Sequence, residues 1–159
     1  MRLFAIFLAV IFLSKTLFVN QAFAMQASPA AGFDERLDSE ITKRLKMASN
    51  EHDLILLFIE SGKYDKIEAE WKKVLDLKLG NRYEGAIALS LLKIADKLSE
   101  AKQIQLAQRI LDYTLANMSF SNKTKADIFR YKAYLFKEAG DLEKAIDAYK
   151  YSNELLEKP

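Results

Sequence analysis

Three groups of residues carry the chemical possibilities of this chain. Glu60-Ser61-Gly62 places a carboxyl group beside a hydroxyl and a flexible residue. In a cleft, such a glutamate could act as a general acid with a raised pKa. His52 is the single histidine, and there is no cysteine. One imidazole without thiols cannot build a multi-histidine or Cys/His zinc site, so no metal site is expected. A Ser-His-Asp arrangement would need His52 beside a serine and an acid. Asp53 follows it directly, but neighbours i and i+1 diverge on a helix. His52 therefore reads as a polar residue in the first turn of a helix. The third group is aromatic and cationic: Trp71, Arg130, Tyr131, Tyr134, Lys137, Tyr149 and Tyr151.

The elements that must position these residues read as helices. After Asp34 only one proline occurs, Pro159, and only four glycines: Gly62, Gly80, Gly85 and Gly140. Few breakers among abundant Ala, Leu, Lys and Glu predict an all-α fold. Leu37, Ile41, Leu45 and Ala48 form one stripe and predict a first helix over about 34–48. Ser49-Asn50 is a candidate cap for the next helix. Further helices are expected over about 51–61, 64–78, 83–98, 101–117, 123–138 and 141–157. Ser99 and Ser121-Asn122 are candidate caps. Gly62 and Gly140 suit the left-handed conformation that ends a helix.

The N-terminus has a different character. Met1-Arg2 is a basic start, Leu3–Leu13 is an unbroken apolar run, and Ala22-Phe23-Ala24 places small residues two apart. That is the layout of a secretory signal cut before Met25. The apolar run is too short for a membrane span of about 20 residues, and Ser14, Lys15 and Thr16 interrupt it. The alternative is an uncleaved anchor facing the periplasm; only then would a membrane be a partner. The expected organisation is a signal over 1–24, a flexible linker over 25–33 and a helical domain over 34–159. The whole chain carries 24 basic and 22 acidic residues, a net +2. Arg2 and Lys15 lie in the signal, so the mature chain balances 22 against 22. Zero net charge gives no electrostatic footprint for nucleic acid. Without cysteine, an exported fold, expected in a bacterial periplasm, must stand on packing alone.

One spacing frame recurs. Ala133, Phe136, Gly140, Ala145 and Tyr149 repeat as Ile55, Phe58, Gly62, Ile67 and Trp71, and again as Ala95, Leu98, Lys102, Ala107 and Leu111. The offsets are 40 and 38 residues. Small residues let two helices approach, and stacked hairpins bury faces that one hairpin cannot. Trp71 and Tyr149 occupy the frame and are expected in the core.

Residues 126–159 resemble a tetratricopeptide repeat, on Ala133, Phe136, Gly140-Asp141, Ala145, Tyr149 and the terminal Pro159. Residues 48–77 and 88–117 resemble it more weakly, with Ile67 and Lys102 at places where a small residue and a glycine are usual. The resemblance implies an α-solenoid of about three hairpins preceded by one helix. It also implies a concave groove lined by the first helix of each hairpin. Here that groove would carry His52, Leu56, Ile59, Leu92, Asp96, Arg130, Tyr134 and Lys137. Some members of that family clamp a peptide carboxylate with lysine and asparagine; Arg130, Tyr134, Leu92 and Asp96 break that pattern. The mixed apolar and cationic lining suits an amphipathic helix or extended segment.

The function expected is non-catalytic binding of a protein or peptide, as an adaptor or assembly factor of the cell envelope, without a cofactor. The second reading is a self-associating scaffold. Ile146 and Leu156 are expected to stay exposed at the C-terminal edge, as an interface with a second copy or the partner. The third is a small lytic enzyme. Glu60-Ser61-Gly62 resembles the Glu-Ser-Gly of soluble lytic transglycosylases, which are exported, helical and use one glutamate as general acid. That family carries a Gly-x-Met-Gln-type segment shortly downstream. Here Tyr64-Asp65-Lys66-Ile67-Glu68 stands instead, with no such segment before Asp76. Intact-mass measurement on exported protein is expected to give a chain beginning at Met25; a full-length mass in the membrane fraction would support the anchor instead.

Overall fold

The structure, a computed structural model, describes residues 35–158. The expected signal, the linker and Pro159 lie outside them. Among the described residues the fold is all-helical: α1 (Glu35–Glu60), α2 (Ile67–Asp76), α3 (Glu84–Glu100), α4 (Ile104–Asn117), α5 (Asn122–Glu138) and α6 (Leu142–Glu157). None of these helices is long and apolar enough to cross a membrane. Short 3-10 turns at Tyr64–Lys66 and Asn81–Tyr83 precede α2 and α3. The chain divides into two compact units, Met1–Ser49 and Asn50–Pro159. In the first, Leu45 and Ala48 are buried and Arg44 pairs with Glu40 at 3.2 Å. All packing below belongs to the second.

Two expected caps do not form. Ser49-Asn50 lies inside α1, which runs unbroken through it. No glycine or proline interrupts that stretch, and cap-forming side chains alone do not stop a helix whose buried residues continue at Ala48, His52 and Ile55. Ser99 is buried in the last turn of α3, and α4 starts after Gln103 without a side-chain cap. Ser121 does cap α5: its hydroxyl accepts the Thr124 N–H at 3.3 Å. The Ser121 N–H donates to Glu84 at 2.9 Å and the Thr124 hydroxyl donates to the same carboxylate at 3.1 Å, tying the start of α5 to the start of α3. Burial works against the charge of Glu84, but these hydrogen bonds outweigh it and hold the carboxyl below its usual range.

Three helix ends close in the same way. After α1, the Gly62 N–H reaches Ile59 O at 3.1 Å and the Lys63 N–H reaches Phe58 O at 2.8 Å. After α3, Lys102 reaches Ser99 O at 2.9 Å and Gln103 reaches Leu98 O at 2.8 Å. After α5, Gly140 reaches Lys137 O at 3.0 Å and Asp141 reaches Phe136 O at 2.9 Å. Each is a Schellman motif, with its pivot at φ +70°, +61° and +82° respectively. The pivots sit at the frame positions 62, 102 and 140, so each turn sends the chain back along the helix before it.

The core follows the same frame. Ile55, Ala95 and Ala133 are buried, as are Ile67, Ala107 and Ala145. Trp71 and Leu111 are buried at the next position, whereas Tyr149 is exposed, against expectation. No further helix follows α6 among the described residues, so nothing covers that ring. α3 packs on both α4 and α5, α4 packs on α2 and α5, and α5 on α6. Trp71 Nε1–H donates to Thr114 Oγ1 at 2.7 Å, and the Thr114 hydroxyl donates to Ile110 O, so the indole's one polar atom is satisfied where α2 meets α4.

Lys102 is the only one of the three pivots with a side chain. A left-handed residue with a Cβ costs about 1–2 kcal/mol, and a glycine in the unfolded chain gives back about 0.4–1 kcal/mol of that advantage. Lys102→Gly should therefore stabilise the fold by about 0.5–1 kcal/mol, and by the same balance Gly140→Ala should cost about 0.5–1 kcal/mol. Trp71→Ala should cost about 3–5 kcal/mol through the cavity it leaves. Urea unfolding of the three variants checks these signs; equal stability of parent and Trp71→Ala would contradict the packing described.

Candidate functional site

The clearest side-chain cluster lies on α5, between α3 and α6. Asp127, Arg130, Tyr131 and Tyr134 recur at i, i+3, i+4 and i+7 and so share one face of α5. With Leu92 and Asp96 of α3 and Tyr149 of α6 they line an open cleft of about 370 Å³. The Tyr131 hydroxyl donates to Asp96 Oδ1 at 3.1 Å. Burial, then the Asp96 charge, pushes the Tyr131 phenol well above its ordinary range, so it stays a neutral donor. The Tyr131 and Tyr134 rings lie 5.5 Å apart and tilted. Arg130 pairs with Asp127 at 3.0 Å on the surface.

This arrangement offers aromatic faces, one guanidinium and carboxylates in an open, solvated recess. Tyr and Arg are the side chains that most often anchor protein interfaces. Four expected groove residues come together here: Leu92, Asp96, Arg130 and Tyr134. Leu56 is half-buried on α1 and Lys137 is exposed one turn beyond Tyr134. Two do not fit an open groove: Ile59 and His52 are buried. The sequence reading left Asp127 and Tyr131 out of the groove and assigned Tyr149 to the core. The i, i+3, i+4, i+7 spacing of Asp127 to Tyr134 was the available signal.

His52 is in mid-helix and fully buried, not in a first turn. Its Nδ1 lies 2.6 Å from Ser90 Oγ, while Nε2 has no partner within the protein. Burial, helped by Lys93, pulls the imidazole down to about 4, so the ring is neutral at physiological pH. Next to it, Glu51 lies beside Glu70 of α2, with its Oε2 buried and without a partner within the protein. Burial first, then Glu70, raises the Glu51 carboxyl. A hydrogen bond from Lys73 lowers that of Glu70. Glu60, the residue of the expected tripeptide, is exposed in the last turn of α1, and Gly62 is the pivot of the turn that follows. Among the described residues, no three His, Asp or Glu side chains converge as a metal site.

Other recesses are lined by turns or by the α2–α4 surface. One of about 410 Å³ lies between α2 and α4, bordered by Trp71, Lys72, Arg109 and Tyr113. Arg109 pairs with Glu68 across it at 2.6 Å. In comparison with known proteins, no family model matches this chain, and no curated protein or solved structure is similar to it.

The His52 proton has a defined sign. The unfolded ring titrates near 6.5 and the folded ring near 4, so the unfolded state takes the proton first as pH falls. The stability His52 contributes is whole above about pH 6.5 and is lost as pH falls from there to about 4, an effect on the order of 3 kcal/mol. The raised Glu51 carboxyl pushes the opposite way over its own range. The difference between parent and His52→Asn isolates the histidine. It should shrink by that amount between pH 7 and pH 4 in urea titrations; a constant difference would mean that the folded ring takes its proton as readily as the unfolded one.

Proposed function

We propose that this protein is a non-catalytic binding module, a small α-solenoid of the tetratricopeptide-like kind that holds a protein or peptide on the inner helices α1, α3 and α5. The observation that carries the reading is the threefold recurrence of one Schellman turn at Gly62, Lys102 and Gly140, 40 and 38 residues apart. Contacts of α3 with α5 and of α2 with α4 support it, because first helices then stack on first helices and second on second. The cleft at Arg130, Tyr131 and Tyr134 is the part of the inner surface best equipped to grip a partner. It suits a segment with apolar side chains for the aromatic rings and a carboxylate for Arg130.

The N-terminal pattern favours action outside the cytoplasm, in the periplasm, as an adaptor or assembly factor. The cell-wall lytic reading requires Glu60 to work as an acid within a carbohydrate cleft. Its exposure in a helix-ending turn favours the structural role instead.

The test is comparative capture. Exported parent protein and an Arg130→Ala/Tyr134→Ala variant are used as bait in an envelope extract. Both side chains are exposed, so the fold should shift by about 0.5 kcal/mol or less. Partners retained by the parent should be lost from the variant, and Glu60→Gln should retain them. Equal recovery by parent and double variant would overturn the inner-face reading.

A further inference from the structure

One flank of α6 carries a second pattern, which shares only Tyr149 with the groove. Leu142, Ile146, Tyr149, Asn153 and Leu156 follow one another at intervals of four, three, four and three, the spacing of a coiled-coil seam. All five are exposed: Leu142 by 61 %, Ile146 by 53 %, Tyr149 by 43 % and Leu156 by 61 %, with Asn153 among them. They span about 21 Å of helix. The buried side of α6 is a different stripe, Ala145, Ala148, Ser152 and Leu155, turned toward α5. The seam is therefore not spare core.

Its neighbours are charged, and the two edges differ. On the α5 side stand Arg130, which shares a cleft with Tyr149 and is paired with Asp127, and Lys137, two turns along the same face, so that edge keeps a net positive charge. On the far side stand Glu143, Asp147, Glu154 and Glu157, with Lys150 among them. The flank thus runs from a net positive edge through an apolar stripe to a net acidic one.

We propose that this flank pairs with the same flank of a second copy, the two α6 helices parallel and in register. Two faces related by a two-fold axis along the helices set the cationic edge of each against the acidic edge of the other. A two-fold axis across the helices would set like against like, which is repulsive. The seam residues agree. A β-branched residue at the position of Ile146, leucine at those of Leu142 and Leu156, and one asparagine at that of Asn153 are the choices that specify two parallel strands and their register. In that register the two Asn153 amides face each other and hydrogen-bond. Leu92 and Asp96, on the α3 rim of the cleft, lie outside the pairing face. The inference does not depend on the groove: a dimer that captures no partner would sink the binding reading and leave this one standing.

Protein produced from the full sequence is examined by sedimentation equilibrium. The parent should show twice the mass of one chain. Ile146→Glu with Leu156→Glu should be monomeric with unchanged helical circular dichroism, since both side chains are exposed in the single copy. Because the chain has no cysteine, Asn153→Cys introduces the only thiol. Under oxidising conditions it should form a disulfide-linked dimer, as parallel, in-register pairing requires. A parent that remains monomeric up to millimolar concentration overturns the proposal. So does a double glutamate variant that still dimerises. A dimer in which Asn153→Cys forms no crosslink overturns the parallel arrangement.

Discussion

Each hairpin depends on one backbone event: a residue with positive φ, at 62, 102 and 140, through which two N–H groups fold back onto the last carbonyls of the preceding helix. The hydrogen bonds satisfy carbonyls that would otherwise be orphaned, and the left-handed pivot reverses the chain within three or four residues. With the reversal fixed, helix spacing is set by what lies just beyond it. Ile67, Ala107 and Ala145 are all buried there, and in the last two hairpins an alanine lets the backbones close up. That Lys102 holds the pivot despite its Cβ indicates how strongly the packing on either side determines the turn.

This constraint also decides which side chains share a surface. α3 and α5 are held side by side, so their outward residues accumulate on one surface: Leu92 and Asp96 from α3, Asp127 to Tyr134 from α5. The hydrogen bond from Tyr131 to Asp96 links those two helices across the cleft. Polar groups buried elsewhere have a different effect. His52 with Ser90 and Trp71 with Thr114 sit inside the stack, one between α1 and α3 and the other between α2 and α4, where they set register rather than contact solvent.

Much of this was legible from the residues. The all-helical fold, the pivots at Gly62 and Gly140, the Ser121 cap and the buried Trp71 follow from rules that act within one or two turns. The failures have a common physical source. Ser49-Asn50 and Ser99 have cap chemistry, but burial of the flanking positions carries α1 and α3 straight through them. His52 looked like a surface residue because the sequence does not reveal that Ser90, 38 residues away, will meet it in the core. Tyr149 occupies the position of Trp71 in the frame but stands in the last described helix, without the neighbour that buries the tryptophan. Local pattern specified each hairpin; which face it covers depended on what stacks against it.

The central claim is that partners are held on the α3 and α5 surface rather than on the α2–α4 side. Hydrogen–deuterium exchange of the protein, alone and with a captured partner, tests this directly. The account predicts slowed exchange concentrated in segments 89–97 and 127–137, with α2 and α4 unchanged. Protection confined to α2 and α4, or none on the inner helices, would contradict it.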